Sequence, residues 1–100
     1  MTDITAEQLK AKLDNKEEVL LIDVREAWEY EEFNIGAKLI PLGELQGVVD
    51  DLDDWMEKEV VLHCKSGARS AAAKDYMIKQ GFKNVRNLIG GMITWQAQFS

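Results

Sequence analysis

Val60-Val61-Leu62-His63-Cys64-Lys65-Ser66-Gly67-Ala68-Arg69-Ser70 joins an apolar run to a short polar loop. The spacing predicts a strand over 60–63 that ends at Cys64. A helix is predicted from about Ser70 to Gln80, with Gly81 placed to stop it. A strand that passes through a tight loop straight into a helix is half of a βα unit, the building block of a parallel sheet.

The flanking sequence repeats this alternation. Upstream, Val19-Leu20-Leu21-Ile22-Asp23-Val24 is a nearly continuous apolar run, which suits a strand buried on both faces. Before it, Ala6, Leu9 and Leu13 fall on one helical face, and Thr5 with Gln8 forms a capping box. A short strand is expected near Ile4. After the apolar run comes a short helix with Trp28 and Phe33 turned inward, then a brief strand at Leu39 and Ile40 before Pro41. Gly43 to Glu59 carries Leu45, Val48, Leu52, Trp55 and Met56 at helical intervals, broken into two pieces by Gly47 and the run Asp50, Asp51, Asp53, Asp54. Downstream, Val85 to Leu88 reads as a last strand. Gly90-Gly91 then turns into a helix with Met92, Trp95 and Phe99 on one face. The expected fold is α/β: a central parallel sheet of about five short strands, helices on both faces, in one domain over residues 1–100. In such sheets ligands bind beyond the carboxyl ends of the strands, where Cys64 stands.

Composition excludes several functions. Twelve Lys and Arg against eighteen Asp and Glu leave a charge of −6, which disfavours nucleic acid and anionic membrane surfaces as partners. No apolar run approaches the length of a bilayer span. The opening Met-Thr-Asp-Ile-Thr-Ala-Glu-Gln-Leu-Lys lacks a basic-then-apolar export pattern, so a cytoplasmic location is expected. The single cysteine excludes an intrachain disulfide and a cysteine metal cluster.

That cysteine has a distinctive setting. Backbone N–H groups of a tight loop form an anion-binding nest. The following helix adds unpaired N–H groups and the positive end of its dipole. Gly67 permits a left-handed turn. Lys65 and Arg69 add positive charge. Such surroundings bring a thiol from ~8.5 to about 7.5 or below. Two readings stand at this point: a nucleophilic thiolate in an anion cradle, or a buried structural cysteine in a basic turn.

The stretch Cys64-Lys65-Ser66-Gly67-Ala68-Arg69-Ser70 resembles the active-site loop of single-domain rhodanese-type sulfurtransferases. Ile22-Asp23-Val24-Arg25-Glu26 with Glu29-Tyr30, Ile35-Gly36-Ala37 through Ile40-Pro41-Leu42, and Gly90-Gly91 with Trp95 agree with the same pattern in the same order. The resemblance implies that Cys64 attacks the outer sulfur of a donor such as thiosulfate and becomes a persulfide. A thiol, or cyanide in the laboratory, then takes the sulfur. A thioredoxin-like protein or a low-molecular-weight thiol would be the acceptor. No metal or organic cofactor is implied. Lys65, Ser66, Gly67, Ala68, Arg69 and Ser70 would bind the donor, with Lys65 and Arg69 meeting its charge. Asp23 and Arg25 would frame the site. A sulfur-carrier or redox-regulatory module with little small-molecule turnover is the alternative.

Loop length separates this chain from a second chemistry. Tyrosine phosphatases and arsenate reductases place five residues between their His-Cys and Arg. Here four separate Cys64 from Arg69, a smaller bowl suited to one sulfur atom. His63 is next to Cys64, but adjacent strand residues face opposite sides, so it is expected to be packed rather than to act as a base. Arg25 and Glu29, four apart, are spaced for a local ion pair. Asn34 stands where many members of the family carry His. Trp28 or Phe33 is a candidate for the pocket mouth, Trp95 packs under the sheet, and the Asp50–Asp54 run forms a solvated face.

Overall fold

The computed structural model describes residues 2–99. Its elements are α1 (Ala6–Asp14), β1 (Leu20–Asp23), α2 (Ala27–Glu32), β2 (Lys38–Leu39), α3 (Leu45–Val48), β3 (Glu59–His63), α4 (Ala68–Lys79), β4 (Asn84–Asn87) and α5 (Gly91–Phe99). A 3-10 turn at Leu42–Glu44 precedes α3, and a 3-10 helix over Val49–Trp55 follows it. The segment expected to break near Gly47 therefore does so, and its acidic second half winds more tightly than an α-helix.

Four strands pair in parallel in the order β2-β1-β3-β4. The fifth strand expected near Ile4 is reduced to a single parallel bridge with Leu88. Ile4 N–H donates to the Asn87 carbonyl at 3.0 Å, and its own carbonyl accepts from Ile89 at 2.9 Å. Asp3 leaves this line at once, because its carboxylate turns in to meet Lys74 and the backbone of Asn87.

Strand alternation divides the core into two layers. Ile22, Val60, Leu62 and Val85 face Leu45, Val49 and Leu52 around α3, and Ala73 and Met77 of α4. Leu21, Val61, Leu88 and Ile4 face Ala6 and Leu9 of α1, and Met92 and Trp95 of α5. Both faces of β3 are thus covered, which explains its unbroken apolar run. Each fully buried Leu or Ile contributes about 1.5–3 kcal/mol. The capping box starts α1: Thr5 Oγ accepts from Gln8 N–H at 3.2 Å, and Gln8 Oε1 accepts from Thr5 N–H at 3.0 Å. Trp95 and Phe99 meet edge to face at 4.8 Å, leaving Phe99 at the rim.

One aromatic differs from the expectation. Trp28 is not turned inward; it is 63% exposed. In the six-residue α2 the buried position is Glu29, drawn in by a partner on another element. Among the described residues, no helix is long and apolar enough to cross a membrane.

Candidate active site

Cys64 follows the last residue of β3 and is buried. Gly67 caps α4 in the left-handed region, with φ +113°, and this turns its N–H back towards the strand end. That N–H donates to Cys64 Sγ at 3.1 Å. Ser70, in the first turn of α4, places its hydroxyl 3.4 Å from the same sulfur. Burial by itself raises the thiol pKa. The Ser70 hydroxyl and the N–H groups of Ser70, Gly67 and Ser66 outweigh that effect and hold Cys64 below its ordinary value.

The Ser70 hydroxyl carries one proton and faces three acceptors. They are Cys64 Sγ, the Gly67 carbonyl at 3.2 Å and Asn87 Oδ1 at 2.6 Å. A bond to a charged acceptor is the stronger kind, so negative charge on the sulfur draws this proton from the neutral amide. Asn87 was not singled out from sequence. It ends β4, its Nδ2 donates to the Gly67 carbonyl at 3.1 Å, and it thereby ties the loop to the sheet. Its only sequence signal is its place just before Gly90-Gly91.

The outer side of the loop is held by α5. Met92 N–H donates to the Cys64 carbonyl at 2.9 Å and Ile93 N–H to the Lys65 carbonyl at 3.0 Å. Gly91 makes this approach possible. A Cβ there would lie 2.5 Å from the Cys64 carbonyl oxygen and 2.6 Å from that of Lys65. With its carbonyls satisfied outward, the loop presents its N–H groups inward.

The charged residues are organised as pairs. Arg25 closes on Asp23, with Nη2 at 2.8 Å and Nε at 3.0 and 3.1 Å from the carboxylate oxygens, and Nη2 also reaches the Phe33 carbonyl. The expected Arg25–Glu29 pair does not form. Glu29 instead receives both arms of Arg69, at 2.7 and 2.9 Å. Those bonds lower the Glu29 pKa to about 2 against the opposing effect of burial. Lys65 is exposed and has no ion pair among the described residues. His63 is fully buried, neither ring nitrogen has a hydrogen-bond partner, and burial lowers its pKa to about 4. Asn34 caps its own turn, donating to the Tyr30 carbonyl and accepting from Gly36 N–H.

Beside the loop lies a pocket of about 250 Å³, walled by Trp28, Phe33, Met92 and Ile93 and carrying Arg25, Glu29, Glu32, Lys65 and Gln96. Both aromatics considered for the mouth therefore line it. Among the described residues, no group of three or more His, Cys, Asp or Glu side chains is placed to hold a metal ion.

The rhodanese-like domain family matches residues 5–98. The chain belongs to that family. The "Putative sulfur carrier protein YrkF" of Bacillus subtilis (strain 168) is 42% identical to this rhodanese-like chain over 94 residues, covering 93% of it and 50% of YrkF. The chain thus spans half the length of that relative. The thiosulfate sulfurtransferase GlpE of Coxiella burnetii (strain RSA 493 / Nine Mile phase I) is 36% identical over 87 residues, covering 86% of this chain and 79% of GlpE. The crystal structure of the rhodanese-related protein from Thermoplasma volcanium superposes with a TM-score of 0.86 at 27% identity, covering 99% of this chain and 94% of that one. Sulfurtransferases and sulfur carriers are both represented among the relatives of this fold.

Proposed function

We propose that this rhodanese-like chain is a sulfurtransferase that moves a sulfane sulfur through a persulfide on Cys64. The observation that carries the reading is the bowl around Sγ: Gly67 N–H and the Ser70 hydroxyl at the N-terminus of α4. Cys64 thiolate attacks the outer sulfur of the donor. The new S–S bond forms on Sγ, the donor's own bond to that sulfur breaks, and the electron pair leaves on sulfite or a thiolate. The persulfide extends its charge one atom further into the N–H groups. An acceptor thiolate then attacks the terminal sulfur and Cys64 leaves as thiolate. Lys65, Ser66, Gly67, Ala68 and Ser70 bind the donor, Arg69 being held in its pair with Glu29, and Asp23 with Arg25 frames the pocket. These 100 residues hold no second cysteine to resolve the persulfide, so the acceptor thiol lies outside them. A low-molecular-weight thiol or a thioredoxin-like protein fits that role, in a cytoplasm that keeps thiols reduced.

The kinship with YrkF supports a second reading, in which the chain carries sulfur to a dedicated partner. Initial rates with donor and acceptor both varied test the main reading. Parallel double-reciprocal lines, with Cys64→Ser inactive, are expected of a two-step covalent route. Intersecting lines would contradict it. Complete loading of Cys64 with negligible turnover on small thiols would favour the carrier.

A further inference from the structure

Two of the three cations of the site, Arg25 and Arg69, are paired before any donor arrives. Arg25 is closed on Asp23. Arg69 gives both guanidinium arms to Glu29. Glu29 is itself fixed: it is buried, and its Oε1 also accepts from the backbone N–H of Glu26 at 3.0 Å in the capping box that starts α2. Its carboxylate is part of the frame of that helix. Lys65 remains, and Glu32 stands on the same pocket. A small dianion entering this pocket meets charges that nearly cancel.

We propose that Glu29 is a donor-selecting residue. By holding Arg69 in a bidentate pair it withholds the guanidinium from an incoming anion. Sulfur loading is thereby biased away from free dianionic donors such as thiosulfate and towards persulfides whose leaving group is a thiolate. This inference rests on the sulfur-transfer reading and names its donor class. In the favoured step the Cys64 thiolate attacks the outer sulfur of R–S–SH. The Cys64 S–S bond forms, the bond between the two donor sulfurs breaks, and its electron pair departs on R–S⁻. One sulfane sulfur moves from one thiol to another, and no outside oxidant or reductant is needed.

The test is single-turnover loading of Cys64, read by intact mass, from thiosulfate and from an alkyl persulfide. It compares the wild-type chain, Glu29→Gln and the double variant Glu29→Gln/Arg69→Gln. The amide in Glu29→Gln still accepts from Glu26 N–H and Arg69 but no longer neutralises the guanidinium. Loading from thiosulfate is expected to rise about tenfold, as one unmasked charge near the site permits. Loading from the persulfide should change by less than about twofold, and the double variant should return to the wild-type ratio because the pair acts as a unit. Equal changes for both donors, or a gain that survives in the double variant, would overturn the proposal. If Glu29→Gln fails to fold by circular dichroism, the double variant still decides. An Arg69 that binds the donor anion would then show as a loss of thiosulfate loading, whereas the proposal requires none. Loading of the wild-type chain from neither donor would remove the sulfur-transfer reading itself, and this donor preference with it.

Discussion

His63 and Cys64 are neighbours in the chain and stand on opposite sides of the sheet. Cys64 is surrounded by donors: Gly67 N–H and the Ser70 hydroxyl, whose proton Asn87 Oδ1 also accepts. His63 has no hydrogen-bond partner for either nitrogen, and its nearest carboxylate oxygen, on Asp23, is 4.0 Å away. Both groups are buried, yet their surroundings act in opposite directions. On the thiol side, donors outweigh burial and lower the pKa. On the imidazole side, burial without partners keeps the ring neutral. Burial alone does not make a functional group; the direction of the surrounding dipoles does.

The largest expected effect breaks the Cys64 side from outside. Gly91→Ala places a Cβ against the Cys64 and Lys65 carbonyls at a residue with φ +56°. A loss of about 3 kcal/mol in urea denaturation is expected, together with slower alkylation of Cys64. This contact was not legible in the sequence, because it joins residues far apart in the chain whose meeting depends on where α5 docks. Gly90-Gly91 reads as a turn and as part of the family pattern, and neither reading assigns it a contact with the Cys64 loop. The opposite orientations of His63 and Cys64 were legible, since strand alternation needs only the strand boundary. Trp28 shows the limit of periodicity. An aromatic at helical spacing was read as core, but a carboxylate took the buried position through its pair with Arg69, forty residues away.

The acid limb of stability separates the two sides next. The unfolded chain protonates His63 near 6.5 and the folded chain only near 4. The stability this contributes is full above pH 6.5 and is lost as pH falls towards 4, about 3 kcal/mol in all. The Glu29–Arg69 pair acts lower: its contribution is present above about pH 4.5 and lost as pH falls towards 2. Denaturation midpoints measured across this range should show the first loss in wild type and not in His63→Leu.

Ser70→Ala sharpens the thiol side. It removes one donor from the sulfur and leaves Asn87 Oδ1 without its partner. The pH midpoint for alkylation is expected to rise, with roughly tenfold slower reaction near neutrality, of the order of one charge-assisted hydrogen bond. An unchanged profile would assign the low thiol pKa to the backbone alone. His63→Leu is the smallest change. An apolar replacement for an unpartnered imidazole should be neutral or stabilising by about 1 kcal/mol, with Cys64 reactivity unaltered. A drop in sulfur transfer with stability intact would show that His63 takes part in the chemistry after all.

The central claim is that the donors around Sγ serve a sulfur held on Cys64. The most direct measurement is the intact mass of the chain after incubation with thiosulfate and, separately, with an alkyl persulfide, alongside Cys64→Ser. The expected result is a gain of about 32 Da, present in wild type, absent in Cys64→Ser and reversed by a thiol. No gain from either donor, in a chain whose Cys64 still reacts with iodoacetamide, would contradict it.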